Sequence, residues 1–417
     1  MRKYLKEFVV LMLTVLTLVA CGNDNTSSKE VVELTLFSTI TNEVEQAALN
    51  DVVAQFEEEN SDIKIDVNLP TTEYESMLRV KMAANDMPDL FDTHGWAVNR
   101  YGEYTMDLRD MDWVADLDPA LESIFTDEDG KVYAYPINQA KDGLTYNKSL
   151  LEDLGIDVPT TFDEFIDVLK QIRDTTDGEV TPLWFEGSDR YALGYFFDLM
   201  STQLLITAED HDYSAELLDG SFNWDNYTYL PENFLMMHEE GLLNPDILSA
   251  QTHERAELFA QNKIAFVSGT MPAISIHELN EDIEVGVMPL PAIHEGGPMS
   301  WVGGERHTFA ISKDTQYVDE AKRFIDFLAQ PEIAKQLAEG MDLPAGLSTV
   351  TPDIYFQEDY DQFADVMVEP YFDRVFLPGG MWDVYGTTAQ ELISGLLDPE
   401  GVSETMEKEY TRLLENE

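Results

Sequence analysis

The side chains in this chain best suited to hold a small polar molecule are tryptophans that stand beside acids and an arginine. Aromatic planes bind flat apolar faces, while carboxylates and guanidinium groups fix hydroxyls around the rim of a ligand. Of the six tryptophans, Trp96 ends the run Asp92-Thr93-His94-Gly95-Trp96 and Trp184 lies in Pro182-Leu183-Trp184-Phe185-Glu186. Trp301 precedes Gly303-Gly304-Glu305-Arg306, and Trp382 follows Pro378-Gly379-Gly380-Met381. Placement next to glycine and charge favours binding over packing for Trp96, Trp301 and Trp382, because ligand contacts gather on loops. Trp113 and Trp224 have no such context and read as structural. Asp92, Asp142, Glu186, Glu305 and Arg306 are the polar candidates.

Catalytic patterns are missing by comparison. Four His-Glu pairs start at His238, His253, His277 and His294, yet Leu242, Glu257, Glu281 and Pro298 stand where a zinc-protease helix needs its second histidine. There is no G-x-S-x-G elbow, phosphate-binding loop or G-x-G-x-x-G turn. A glycosidase needs only two well-placed carboxylates, and a chain with 81 Asp plus Glu leaves that alternative open. Asp127-Glu128-Asp129-Gly130 lacks the alternation and distant Glu of a calcium loop and reads as a turn. No cofactor or metal is expected.

Lys plus Arg number 25 against 81 Asp plus Glu, a formal charge of −56. Such a field repels phosphate backbones and anionic headgroups, which argues against nucleic acid as a partner. It also suits a medium in which salt screens self-repulsion, so a salt-adapted protein is expected. Arg2, Lys3 and Lys6 precede the apolar run from Phe8 to Ala20, which is too short to span a bilayer and reads as a secretory signal. Cys21 follows Leu18-Val19-Ala20 and is the only cysteine, leaving no disulfide framework. This junction resembles the lipobox of bacterial lipoproteins, in which the cysteine is lipidated and becomes the first mature residue. Residues 21–30 would then be a tether outside the cell membrane.

The elements that must position these residues alternate between strand and helix. Val31 to Phe37 reads as a strand, Asn42 with Glu45 caps a helix with Val44, Ala48, Val52 and Phe56 on one face, and Ile63, Ile65 and Val67 alternate as a second strand. Met77 to Ala84 is helical, and Pro88 to Phe91 enters a buried strand. The box Thr161-x-x-Glu164 opens a helix carrying Phe165, Val168, Leu169 and Ile172. Ile264 to Val267 and Val285 to Leu290 are strands, and Ala321, Phe324, Ile325 and Leu328 form a helical face that ends before Pro331. The length favours two domains, and the alternation predicts an α/β protein with mostly parallel sheets flanked by helices.

Several segments, in order, resemble the family 1 extracellular solute-binding proteins of ATP-binding cassette importers, the class of maltose-binding protein. They are Phe56 to Ile65, Ala83 to Phe91, Asp129 to Pro136, Gly143 to Lys148, Val158 to Phe165, Phe259 to Phe266, and Gly303-Gly304 before Ile311-Ser312-Lys313. Met271 departs from the pattern, standing where the family commonly has an aromatic of the cleft. The resemblance implies a type II two-lobed fold with a ligand cleft at the hinge. It places residues 31–138 with 305–350 in an N-terminal lobe and 139–304 with 351–417 in a C-terminal lobe. The chain would cross between lobes near Asn138 to Asp142, Gly303 to Ala310 and Thr349 to Phe363. The implied function is capture of a sugar or oligosaccharide by lobe closure, by an anchored monomer that delivers it to separate membrane permease subunits. A polyamine or peptide is the alternative cargo, and an enzyme the alternative class.

Overall fold

The computed structural model describes residues 31–415 apart from 41–42, 71–73 and 99. The signal segment, Cys21, the tether and the capping position Asn42 lie outside the described residues. Among the described residues, no helix is long and apolar enough to cross a membrane.

The first unit forms as its residue pattern requires. Strand β1 (Val32–Phe37) pairs in parallel with β2 (Ile63–Asn68) through the helix Glu43–Glu59, which buries Leu49, Val52, Val53 and Phe56. Val44, expected on that face, is 46% exposed, because the buried stripe begins one turn later. Strand β3 (Leu90–Phe91) adds in parallel on the other side of β1. Strand β4 (Tyr135–Asp142) leads into β5 (Leu144–Asn147). The expected capping box then appears, with the Thr161 side chain accepting from the Glu164 amide and Glu164 accepting from the Thr161 amide, at the start of helix Phe162–Thr175. Phe162, Phe165, Ile166, Leu169 and Ile172 are buried along it.

Strands β6 (Thr181–Leu183), β7 (Ile264–Ser268) and β8 (Val285–Met288) complete a four-stranded sheet with β5, in the order β6-β7-β5-β8. The long strand β9 (Trp301–Ile311) and the short β10 (Val368–Pro370) belong to the six-stranded sheet, ordered β10-β9-β3-β1-β2 with β4 also paired to β9. Pairing is parallel for β1-β2, β1-β3, β9-β10 and β6-β7, and antiparallel for β3-β9, β4-β9, β5-β7 and β5-β8. The sheets are thus more mixed than a simple βαβ alternation implies. The antiparallel partners arrive directly from elsewhere in the chain and need no crossover helix.

Two main cores result. One gathers Leu34, Phe56, Leu90, Tyr135, Phe309, Phe324 and Leu347. The other gathers Tyr146, Phe165, Phe196, Phe234, Phe266, Tyr385 and Tyr410. Strands β4 and β9 run from one to the other: Tyr135 and Ile311 are rooted in the first, Ala140 and Val302 in the second. Their antiparallel ladder is interrupted by register shifts on either side of Asn138. Here the two backbones come so close that a Cβ on Gly303 would sit 2.0 Å from the Ala140 carbonyl oxygen. Gly304 has φ +131°, a conformation that side-chain-bearing residues avoid. The helical face from Ala321 to Leu328 closes at Leu328, and Pro331 opens the next helix, Pro331–Met341, at its first turn.

Candidate functional site

Between the two cores lies a cleft with two adjoining chambers. The larger, about 580 Å³, is bounded by Asp142, Glu186, Arg255, Thr270, Met271 and Tyr360, with Glu45 and Asp342 on the facing side. The smaller, about 470 Å³, is bounded by Tyr195, Arg306, Tyr371, Asp373, Arg374 and Trp382. Tyr195 and Arg306 border both chambers, so the two share a wall.

Asp142, at the C-terminal end of β4, accepts hydrogen bonds from the Tyr371 hydroxyl and, at 3.2 Å, from the Thr270 amide. Burial and the adjacent Asp142 carboxylate push the Tyr371 hydroxyl well above its usual pKa, so it remains a donor. Glu305 is 2% exposed and paired with Arg374, tying β9 to the short helix Phe372–Phe376. The next residue, Arg306, is exposed and projects into the cleft. Glu186 accepts from Arg255 at 2.7 Å and leaves its pair at the chamber wall.

Asp92, at the end of β3, takes a different part. Its wholly buried carboxylate accepts from the Thr39 hydroxyl at 2.6 Å, the Thr308 hydroxyl at 2.9 Å and the His94 amide at 3.0 Å. It therefore locks the turn His94–Trp96 against β9 and has no oxygen turned to the cleft. Burial pushes His94 down to about 4 against the attraction of Asp92, so its imidazole is neutral at pH 7. Burial raises the Glu45 carboxyl, but His307, whose Nε2 is 3.3 Å away, and Arg306 outweigh it and hold Glu45 below the usual range.

The tryptophans divide sharply. Trp382, second residue of the helix Met381–Ile393, stands at the smaller chamber with ring centroids 6.5 Å from Tyr191 and 6.3 Å from Tyr195. Trp301 is 1% exposed, edge-on to Tyr360 at 5.3 Å and to Phe363 at 6.1 Å. Trp184 is 2% exposed in the same satellite core. Neither reaches the cleft: Trp301 is the first residue of β9, Trp184 directly follows β6, and both side chains pack into a third core with Phe259, Phe356 and Tyr360. Trp96 closes its 3₁₀ turn, and its side chain lies outside the described residues. Trp113 and Trp224 are buried, as their context suggests. Met271 is 4% exposed, split between the satellite core and the larger chamber.

Sequence reasoning passed over Tyr195, Tyr371, Asp373 and Arg374. Asp198 was a readable signal: a carboxylate inside Tyr195-Phe196-Phe197-Asp198-Leu199-Met200, an apolar helix run, must have a polar purpose. The loop Asp127 to Gly130 is a turn in which Asp127 accepts from the amides of Asp129 and Lys131. Among the described residues, no three His, Cys, Asp or Glu side chains are grouped to hold a metal.

The model for bacterial extracellular solute-binding proteins matches residues 41–335. The melibiose/raffinose/stachyose-binding protein MelE of Bacillus subtilis is 46% identical over 415 residues, covering 99% of this chain and 97% of its own length. The fold superimposes on a Bacillus subtilis binding protein crystallised in an open conformation with a TM-score of 0.90 at 47% identity, covering 94% of this chain and 99% of that one. It superimposes on a sugar transporter from Bacillus licheniformis in complex with stachyose with a TM-score of 0.82 at 52% identity, covering 92% and 100%. The chain thus matches the open structure more closely than the stachyose complex, although it is less identical to it in sequence.

Proposed function

Because the chain belongs to the bacterial extracellular solute-binding proteins, we propose that its cleft captures galactosyl oligosaccharides of the melibiose, raffinose and stachyose series for an ATP-binding cassette importer. The observation that carries this reading is the aromatic and charged double chamber between the two cores, in a chain 46% identical to a binding protein for these sugars. A pyranose offers an apolar C–H face to Trp382 and Tyr195, and hydroxyls to Asp142, Arg306 and Arg374. Two adjoining chambers suit a ligand of more than one ring.

The mechanism follows from the hinge. Strands β4 and β9 each carry binding candidates (Asp142, Glu305 and Arg306) and are rooted in both cores, with Gly303-Gly304 at their close approach. A sugar touching both lobes stabilises the closed state by its differential affinity for that state. The permease, carried on separate chains, would read closure. Residues 31–138 with 305–350, and 139–304 with 351–417, would be the moving lobes. Cys21 would hold the monomer to the outer face of the cell membrane through a lipid. The protein acts by binding and release, without turnover.

Calorimetric titration of residues 22–417 with melibiose, raffinose and stachyose, with maltose, spermidine and a tripeptide alongside, tests this. Binding of the galactosyl series with the sugar recovered intact is expected. Binding of spermidine or the peptide alone would replace the cargo assignment, and sugar cleavage would replace the transport reading.

A further inference from the structure

Asp373, which borders the smaller chamber, and Asp198, bonded to its amide, are two carboxyl groups with no part in the pairings above. Asp198 is wholly buried in the middle of helix Arg190–Leu205. One of its oxygens accepts the Asp373 amide at 2.7 Å, and the other, Oδ2, has no hydrogen-bond partner among the described residues. Asp373 borders the chamber itself, beside Trp382 and Arg374. Its Oδ1 is shielded and likewise has no partner among the described residues. Two buried acceptors left over in adjacent carboxyls are costly, because desolvation of a carboxylate is repaid only by donors.

We propose that Asp373 is the hydroxyl-recognising residue of the smaller chamber, accepting a hydrogen bond from a sugar ring lying on Trp382, with Asp198 as the positioning residue that holds its backbone. This rests on the sugar-binding reading above and deepens it. The geometry is that of a ring platform with a carboxylate at its edge: Trp382 backed by Tyr191 and Tyr195 supplies the plane, and Asp373 is anchored from below. Asp373 follows the Tyr371 whose hydroxyl is committed to Asp142, and precedes the Arg374 committed to Glu305. Of this short run, the Asp373 carboxyl, which also accepts from the Trp382 backbone amide, keeps in Oδ1 an acceptor without a partner among the described residues.

Proton linkage accompanies such a contact. Burial pushes the Asp373 carboxyl up to about 7, with Arg100, in the loop after β3, and a hydrogen bond from the Trp382 backbone amide opposing the rise. Asp198 is pushed up to about 8 by burial and by Asp373, with Arg374 opposing. Arg306 on β9, Tyr195 on helix Arg190–Leu205, Tyr385 on helix Met381–Ile393, Tyr371 and Tyr227 are other ionisable groups that face this region. Near neutral pH a fraction of Asp373 is therefore protonated, whereas the proposed contact uses its charged form. Binding a sugar hydroxyl then releases that proton to solvent, and affinity rises with pH across this range.

The test is raffinose affinity of residues 22–417 from pH 5.5 to 8.5, with titrations in two buffers of different ionisation enthalpy to count protons. For the wild type, affinity is expected to rise about tenfold over this range, with net proton release near pH 7. Asp373→Asn should bind about ten- to a hundredfold more weakly at pH 8 and lose both the pH slope and the proton release. Asp198→Ala, which removes the acceptor for the Asp373 amide, should weaken binding about three- to tenfold while the slope persists, and Asp198→Asn, which restores that acceptor, should recover most of the loss. Wild-type affinity with no slope, or Asp373→Asn with unchanged affinity and slope, overturns the assignment while leaving sugar binding intact. Absence of raffinose binding by the wild type at every pH overturns both readings.

Discussion

Truncating two tryptophans that look alike in sequence should have opposite consequences. Trp301 is 1% exposed and packed edge-on against Tyr360 and Phe363, so Trp301→Ala removes a large core side chain where its neighbours cannot collapse. Such a loss costs about 3–5 kcal/mol. With each kcal/mol worth about 2–4 °C in a lobe of this size, the melting midpoint should fall by roughly 10 °C. Trp382 is half-buried at the mouth of its helix, and its neighbours Tyr191 and Tyr195 remain in contact with Arg190 and the Gly269 loop when it is removed. Trp382→Ala should change the midpoint by only a few degrees. A sugar face covering roughly 60–80 Å² of its ring is worth about 1.5–2 kcal/mol, or about 10- to 30-fold in affinity. Differential scanning fluorimetry and raffinose titration on both variants decide the matter. Trp301→Ala folding as stably as wild type while losing sugar, or Trp382→Ala losing stability while keeping sugar, would refute the division between core and cleft.

Gly304→Val should destabilise the fold by about 1–3 kcal/mol and lower its melting midpoint, because φ +131° is strained for any side chain and a Cβ there would meet Ile124 Cδ1 at 2.5 Å; thermal melting checks it. The folded pKa of Asp198, about 8, lies above the unfolded value near 4, so its contribution to stability is complete below pH 4 and is lost as pH rises toward 8. The gain of Asp198→Asn over wild type in urea unfolding should therefore grow from pH 5 to pH 8, and a constant difference would contradict the buried-acid account. His94 works in the opposite sense: with a folded value of about 4 against roughly 6.5 unfolded, it withdraws stability as pH falls through that window, and His94→Gln should flatten the acid limb of a pH–melting curve. With a formal charge of −56, the wild-type midpoint should rise between low and molar sodium chloride, and no rise would remove the argument for salt adaptation.

Local patterns were legible wherever one element carries its own signal. The Thr161 capping box, the alternation at Ile63, Ile65 and Val67, and the apolar face ending before Pro331 all appear at or within a few residues of their expected places. These depend on hydrogen bonds and periodicities within one turn or strand, which the residues on either side suffice to specify. Val44 marks the limit of that method, since periodicity tells which residues share a face but not where burial along that face begins.

By itself, then, the sequence determined the alternation of strands and helices, the acidic surface, the family, and a short set of charged residues near the hinge, of which Asp142, Glu186 and Arg306 border the cleft and Glu305 anchors Arg374 there. Only the tertiary structure decided that Trp382 faces the chamber while Trp184 and Trp301 are core, and that Asp92 is consumed by Thr39, Thr308 and His94. It alone brought Asp198 to Asp373, 175 residues apart. The physical reason is that whether a side chain is buried, paired or open to a ligand depends on partners distant in the chain, and β4 and β9 bring those partners together only once both cores have formed.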